Sequence, residues 1–214
     1  MGKEQRTGKR KPRSFECKPQ KLGYYIIYTD TKKTEENYIT GYRKSLPAEF
    51  QNKIEIQIEK EKTSNLIASC CEYLRKNPQY RSAWIIFDKD QVSNFNEIMQ
   101  EANSKGIQVA WSNPCIEMWF SGYFGKMQCI DSVTCCNNFS ILYKQKTGKK
   151  YDKSEEEIYN ILKTFGDECI TIKYFKTKYY SNQKNKIAPA DQICTSTMFL
   201  LIEAINNIFK ENNQ

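Results

Sequence analysis

The apolar and polar positions of this chain change period repeatedly, and the changes predict an α/β fold. Tyr24 to Tyr28 (Tyr-Tyr-Ile-Ile-Tyr) has the β-branched and aromatic composition of a strand. Thr34, placed as an N-cap, opens a helix running to about Ser45, ahead of Pro47. Between Lys53 and Ile58 the isoleucines Ile54, Ile56 and Ile58 alternate with polar residues, the period of a half-buried strand at a sheet edge. Thr63 to Lys76 reads as a helix with Leu66, Ile67, Cys70 and Leu74 on one face. Residues 82–87 (Ser-Ala-Trp-Ile-Ile-Phe) form a short apolar run, the signature of a strand buried on both faces of a parallel sheet. A helix from about Val92 to Ser104 carries Phe95, Ile98, Met99 and Ala102, with Gly106 closing it. Ile107 to Trp111 is a fourth strand.

Alternating strands and helices from 24 to 111 imply a parallel sheet of about four strands with helices on its faces. Right-handed crossovers bring the ends of strands 24–28, 82–87 and 107–111 to one edge. The second half changes character. Helices are expected at 115–125, 155–165 and 197–209, the last carrying Met198, Leu200, Leu201, Ile205 and Ile208. Lys144 to Lys153 and a basic aromatic block from Lys173 to Lys186 lie between them. With no internal repeat and no clear linker, the chain divides into a basic, disordered leader (1–20), an α/β unit (21–125) and a mainly helical, basic cap on the sheet (126–214).

The apolar run at 82–87 delivers two carboxylates at its end, Asp88 and Asp90. Ligands of open α/β sheets sit beyond the carboxyl ends of the strands. Side chains two apart on a strand share a face, so both acids can converge on one hard cation such as Mg²⁺. The alternative is an acidic turn with Asp90 as the N-cap of the next helix.

Histidine is absent from the 214 residues. That excludes Ser-His-Asp and Cys-His catalysis, histidine proton shuttling and His-ligated zinc. Nine cysteines fall mostly in apolar settings with no CxxC spacing, as reduced core residues would. No apolar run approaches the roughly 18 to 20 residues needed to cross a bilayer, and the leader lacks an apolar stretch, so a soluble cytoplasmic protein without membrane partners is expected. The net charge of +8 favours a polyanionic partner. In the block 173–186, Lys173, Lys176, Lys178, Lys184 and Lys186 interleave with Tyr174, Phe175, Tyr179 and Tyr180. Lysines there can neutralise phosphates while rings such as Tyr179 and Tyr180 stack on unpaired bases. An amphipathic strand with its rings in the core fits the same residues.

Three segments together resemble the RloB/AbiLii family: Tyr-Thr-Asp-Thr-Lys-Lys-Thr-Glu-Glu-Asn-Tyr (28–38), Ile-Ile-Phe-Asp-Lys-Asp (85–90) and Ser-Asn-Pro-Cys-Ile-Glu-Met-Trp (112–119). The resemblance covers roughly 22–125 well and the last helix loosely. It implies a TOPRIM-like domain in an abortive-infection protein encoded beside an ATPase gene. It further implies a nuclease using Mg²⁺ or Mn²⁺, with RNA (tRNA in particular) or DNA as substrate and control by the partner ATPase. Asp88 and Asp90 would then hold the metal, with Asp30 and Glu35 completing a catalytic set. The family's usual Glu-Gly-Glu-Lys-Thr-Glu is here Asp30-Thr31-Lys32-Lys33-Thr34-Glu35. Asp30 is one methylene short, which matters to catalysis, and Thr31 replaces a permissive glycine. Glu35 is retained, although a carboxylate in a first helical turn also complements the helix dipole. Ser112, Asn113 and Glu117 are expected around the ligands, with Pro114 opening the helix and Ser112 or Asn113 capping it. Cys115 and Trp119 are expected to pack.

Overall fold

A computed structural model describes residues 24–29, 33–59, 63–125, 128–129 and 131–212. Its elements run β1 (Tyr24–Thr29), α1 (Thr34–Lys44), a short α2 (Ala48–Gln51), β2 (Ile54–Ile58), α3 (Leu66–Lys76), β3 (Tyr80–Asp88), α4 (Phe95–Ser104) and β4 (Gln108–Asn113). Then follow α5 (Glu117–Tyr123), α6 (Ser132–Thr147), α7 (Ile158–Phe165), α8 (Glu168–Lys184), β5 (Thr195–Ser196) and α9 (Met198–Asn212). The sheet order is β2-β1-β3-β4-β5, parallel except for β5. This is the α/β architecture expected from the apolar pattern, with one strand more. β5 is two residues long and pairs Ser112 with Ser196 and Asn113 with Thr195. So short a strand carries no period of its own.

The order places a reversal between β1 and β3. From β1 the chain crosses to β2 on one side, then returns past β1 to β3 and on to β4. Right-handed crossovers in opposite directions put their helices on opposite faces, and the two cores show this. Tyr25, Ile27, Trp84, Ile86 and Ala110 face α1, α5, α7 and α9. The alternate residues Ile26, Tyr28, Ala83, Ile85, Phe87, Val109 and Trp111 face α3 and α4. β1, β3 and β4 are covered on both sides, which is why they read as apolar runs rather than as alternating strands.

The C-terminal helices sit on the α1 face. Gly41 lets α1 approach α7, since a Cβ there would lie 2.7 Å from Tyr159 Cβ. Gly122 does the same for α5 and α8, where a Cβ would meet Thr171 Cγ2 at 2.7 Å and Phe175 Cε2 at 2.9 Å. Trp119, buried as expected, lies against Phe175 with centroids 5.5 Å apart.

Four local expectations change. The block 173–186 is mostly helical rather than an amphipathic strand: Asp167 caps α8 by accepting from Ile170 N at 3.0 Å. α6, which the apolar pattern did not reveal, mixes buried Phe139, Leu142 and Tyr143 with exposed Val133 and Ile141, leaving no single stripe. Its ends are set chemically, by Asp131 accepting from Thr134 N at 2.8 Å and by Gly148 at φ 73°. The helix after β4 begins at Glu117 rather than at Pro114, with Ile116 in the N-cap position. Thr34 is the first residue of α1 and not its cap; its hydroxyl donates to Lys153 O instead.

Candidate metal and nucleic-acid site

Asp88 ends β3 on the face of Trp84 and Ile86 by strand alternation, so it turns toward α1 and α5. It is nearly buried, at 7 % exposure. Its Oδ2 accepts the Ile116 backbone N–H at 3.0 Å, one of the donors that a helix start leaves open. Two more carboxylates come to the same place: Glu35 from the first turn of α1 and Glu117 from the first turn of α5, both buried. Burial pushes the Asp88 carboxyl well above the ordinary aspartate range, the Glu35 and Glu117 charges push it further, and the Ile116 N–H pulls the other way. These acids gather beyond the carboxyl ends of β1 and β3, where the strand order reverses. That is the crevice in which ligands of open α/β sheets bind.

Asp90 is placed differently from Asp88. The strand stops at Asp88 and residues 89–91 form a 3-10 turn, so the two-residue alternation does not reach Asp90. Asp90 is exposed, its N–H donates to Pro114 O at 3.2 Å, and its charge still raises Asp88. Asp30 and the leader 1–20 lie outside the described residues, as does the Thr31-Lys32 pair. Ser112 is in register with Asp88 but shares its hydroxyl with Ser196 Oγ at 3.0 Å. Asn113 donates to Ala190 O at 3.0 Å. Both fasten β4 to the segment around β5.

The second half supplies two residues that no local pattern marks. Tyr151 donates its hydroxyl to Glu117 Oε1 at 3.2 Å, and Lys153 Nζ lies 3.3 Å from the same oxygen. Burial pulls the Lys153 ammonium down, but the Glu117 carboxylate outweighs it and holds the group above the ordinary lysine value. The turn carrying Tyr151 and Lys153 is tied to α1 through Thr34 Oγ1 and Lys153 O at 3.3 Å. Beside Glu117, Cys115 is buried with its Sγ 3.9 Å from that of Cys136.

Helical geometry sorts the basic block. At about 3.6 residues per turn, Lys173, Lys176, Tyr180 and Lys184 share one face of α8. Lys173, Tyr180 and Lys184 are exposed there, and Lys176 pairs with Glu203 at 2.8 Å. Lys178 falls on another face, lining a cavity of about 500 Å³ with Tyr174, Cys129 and Cys194. Tyr179 packs on Phe199 at 5.8 Å, and Lys186 lies just past the helix, exposed, at φ 55°. No helix among the described residues is long and apolar enough to cross a membrane.

A family model described as RloB-like protein matches residues 25–205. No curated protein and no solved structure matches the chain.

Proposed function

The chain belongs to the RloB-like protein family, a membership consistent with a defence-related role, and from that premise we propose that it is a metal-dependent, TOPRIM-like nuclease effector. One observation carries the reading: Asp88, Glu35 and Glu117, distant in sequence, are buried together at the reversal point of the sheet. Buried like charges on oxygen donors fit a hard divalent cation, Mg²⁺ or Mn²⁺. Asp88, Glu35 and Glu117 would hold it, and the resemblance adds Asp90 and Asp30 to the set. A bound divalent ion supplies Lewis-acid polarisation of a phosphodiester oxygen and offsets charge on the leaving group.

The protein's own groups do the positioning. The Ile116 N–H fixes the Asp88 carboxylate, while Tyr151 and Lys153 fix Glu117 through Oε1. Lys173, Tyr180 and Lys184 present cations and a ring to a nucleic acid backbone, with Lys176, Lys178, Tyr179 and Lys186 close by on α8 and just after it. RNA is the proposed substrate, tRNA in particular, with a partner ATPase controlling access. Both follow from the resemblance of the three sequence segments.

The test is incubation of the purified protein with labelled tRNA and DNA in Mg²⁺ or Mn²⁺. Cleavage is expected in the wild type and lost in Asp88→Ala and Asp90→Ala; cleavage unchanged in both variants would overturn the site. Lys153 favours a second reading, because its ammonium already compensates Glu117 without a metal. A catalytically degenerate protein that binds nucleic acid or a partner would use the cluster in that state. Calorimetry showing no heat of binding at millimolar Mn²⁺ selects it.

A further inference from the structure

Two cysteines lie beside Glu117 and make a donor set unlike that of the acids. Cys115 lies on the turn between β4 and α5, and Cys136 on the second turn of α6. Their sulfurs are 3.9 Å apart, and one ligand atom from each of Cys115, Cys136 and Glu117 lies within 4.8 Å of the other two. A tetrahedral zinc with Zn–S bonds of about 2.3 Å sets its sulfurs about 3.8 Å apart. The pair thus already stands at the edge length such an ion requires. All three residues are on well-packed turns: Cys115 and Glu117 are buried, and Cys136 is half-buried, leaving an approach from its side. Cys135, next to Cys136 on α6, is buried.

We infer that Cys115, Cys136 and Glu117 form a site for a thiophilic divalent ion, Zn²⁺ or a close analogue. Two thiolates and a carboxylate select such an ion over Mg²⁺, which prefers oxygen alone. Binding forms two metal–sulfur bonds and releases the two thiol protons to solvent, with no change of oxidation state. Glu117 belongs to both sets of ligands. Zinc bound at the sulfurs therefore draws Glu117 away from the acidic cluster, a consequence that rests on the metal-dependent reading above, whereas the thiolate site itself does not.

Co²⁺ is the probe, because thiolate ligation gives it a charge-transfer absorption that oxygen ligation does not. Full-length reduced protein titrated with Co²⁺ is expected to show this band, to release about two protons per ion, and to lose the band on addition of Zn²⁺. Cys136→Ser, at the half-buried position, is expected to abolish the band while keeping the wild-type circular dichroism. Cys70→Ser, in the opposite core, is expected to keep it. A wild-type protein with no band, or a band undiminished in the Cys115→Ser/Cys136→Ser double variant, overturns the site. The readout does not depend on cleavage, so it separates from failure of the nuclease reading.

Discussion

Replacing Lys153 by methionine removes one charge from the acidic cluster while keeping most of the side-chain stem. The magnitude follows from how differently the two partners are exposed. Glu117's side chain is 1 % exposed and Lys153's 60 %, with 3.3 Å between Nζ and Oε1. A fully buried pair broken from one side costs about 3–5 kcal/mol, and a fully exposed pair is worth about 0–1 kcal/mol. With solvent screening one partner, the metal-free protein should lose about 1–2 kcal/mol, or about 2–8 °C in melting temperature for a chain of this length. A divalent cation bound by the acids restores the missing positive charge, so the metal-bound form should lose far less. By the thermodynamic cycle, Lys153→Met then binds Mn²⁺ about 5–30-fold more tightly than wild type. Scanning fluorimetry in EDTA and in Mn²⁺, with calorimetric titration of Mn²⁺, reads both quantities. Equal loss of stability with and without Mn²⁺, or no gain in Mn²⁺ affinity, would refute the placement of Lys153 as the cluster's internal cation.

Two further outcomes follow from the same geometry. The Asp88 carboxyl titrates higher in the folded chain than in the unfolded one. Its contribution to stability is therefore fully present below the ordinary aspartate value and lost as pH rises through the raised folded value. Urea midpoints in EDTA should fall across that window, and Asp88→Asn, neutral throughout, should flatten the fall; an unchanged slope in the variant would remove Asp88 as its source. On α8, the double variant Lys173→Glu/Lys184→Glu should weaken tRNA binding and lower its salt dependence, with a slope smaller by about one for each phosphate no longer neutralised. Lys176→Ala should change binding less, because that ammonium is held by Glu203; fluorescence anisotropy across a salt series decides, and equal losses would show that the stripe is not the interface.

Much of the architecture was legible in the residue pattern because each element's period reports its own burial. The double-sided apolar runs of β1, β3 and β4, the isoleucine alternation of β2 and the stripes of α3 and α4 all follow from sheet and helix periodicity. The family was legible too, since Ser112-Asn113-Pro114-Cys115-Ile116-Glu117-Met118-Trp119 is contiguous. α6 and β5 were not. α6 is buried on irregular positions by its neighbours, and β5 is two residues held by its partner strand.

The candidate site divides along the same line. The sequence alone placed acids at the end of a buried strand and at the start of the helix after β1, because strand ends and capping positions are local features. Only the tertiary structure decided which acids share a volume. It ended β3 at Asp88, so that the chain turns before Asp90, and it drew Glu117 in beside Asp88 through the Ile116 N–H. It also brought Tyr151 and Lys153 onto Glu117 from the far half of the chain. Closing those long loops depends on packing two hydrophobic layers across one sheet, and no local period in the chain records which polar groups that packing carries together.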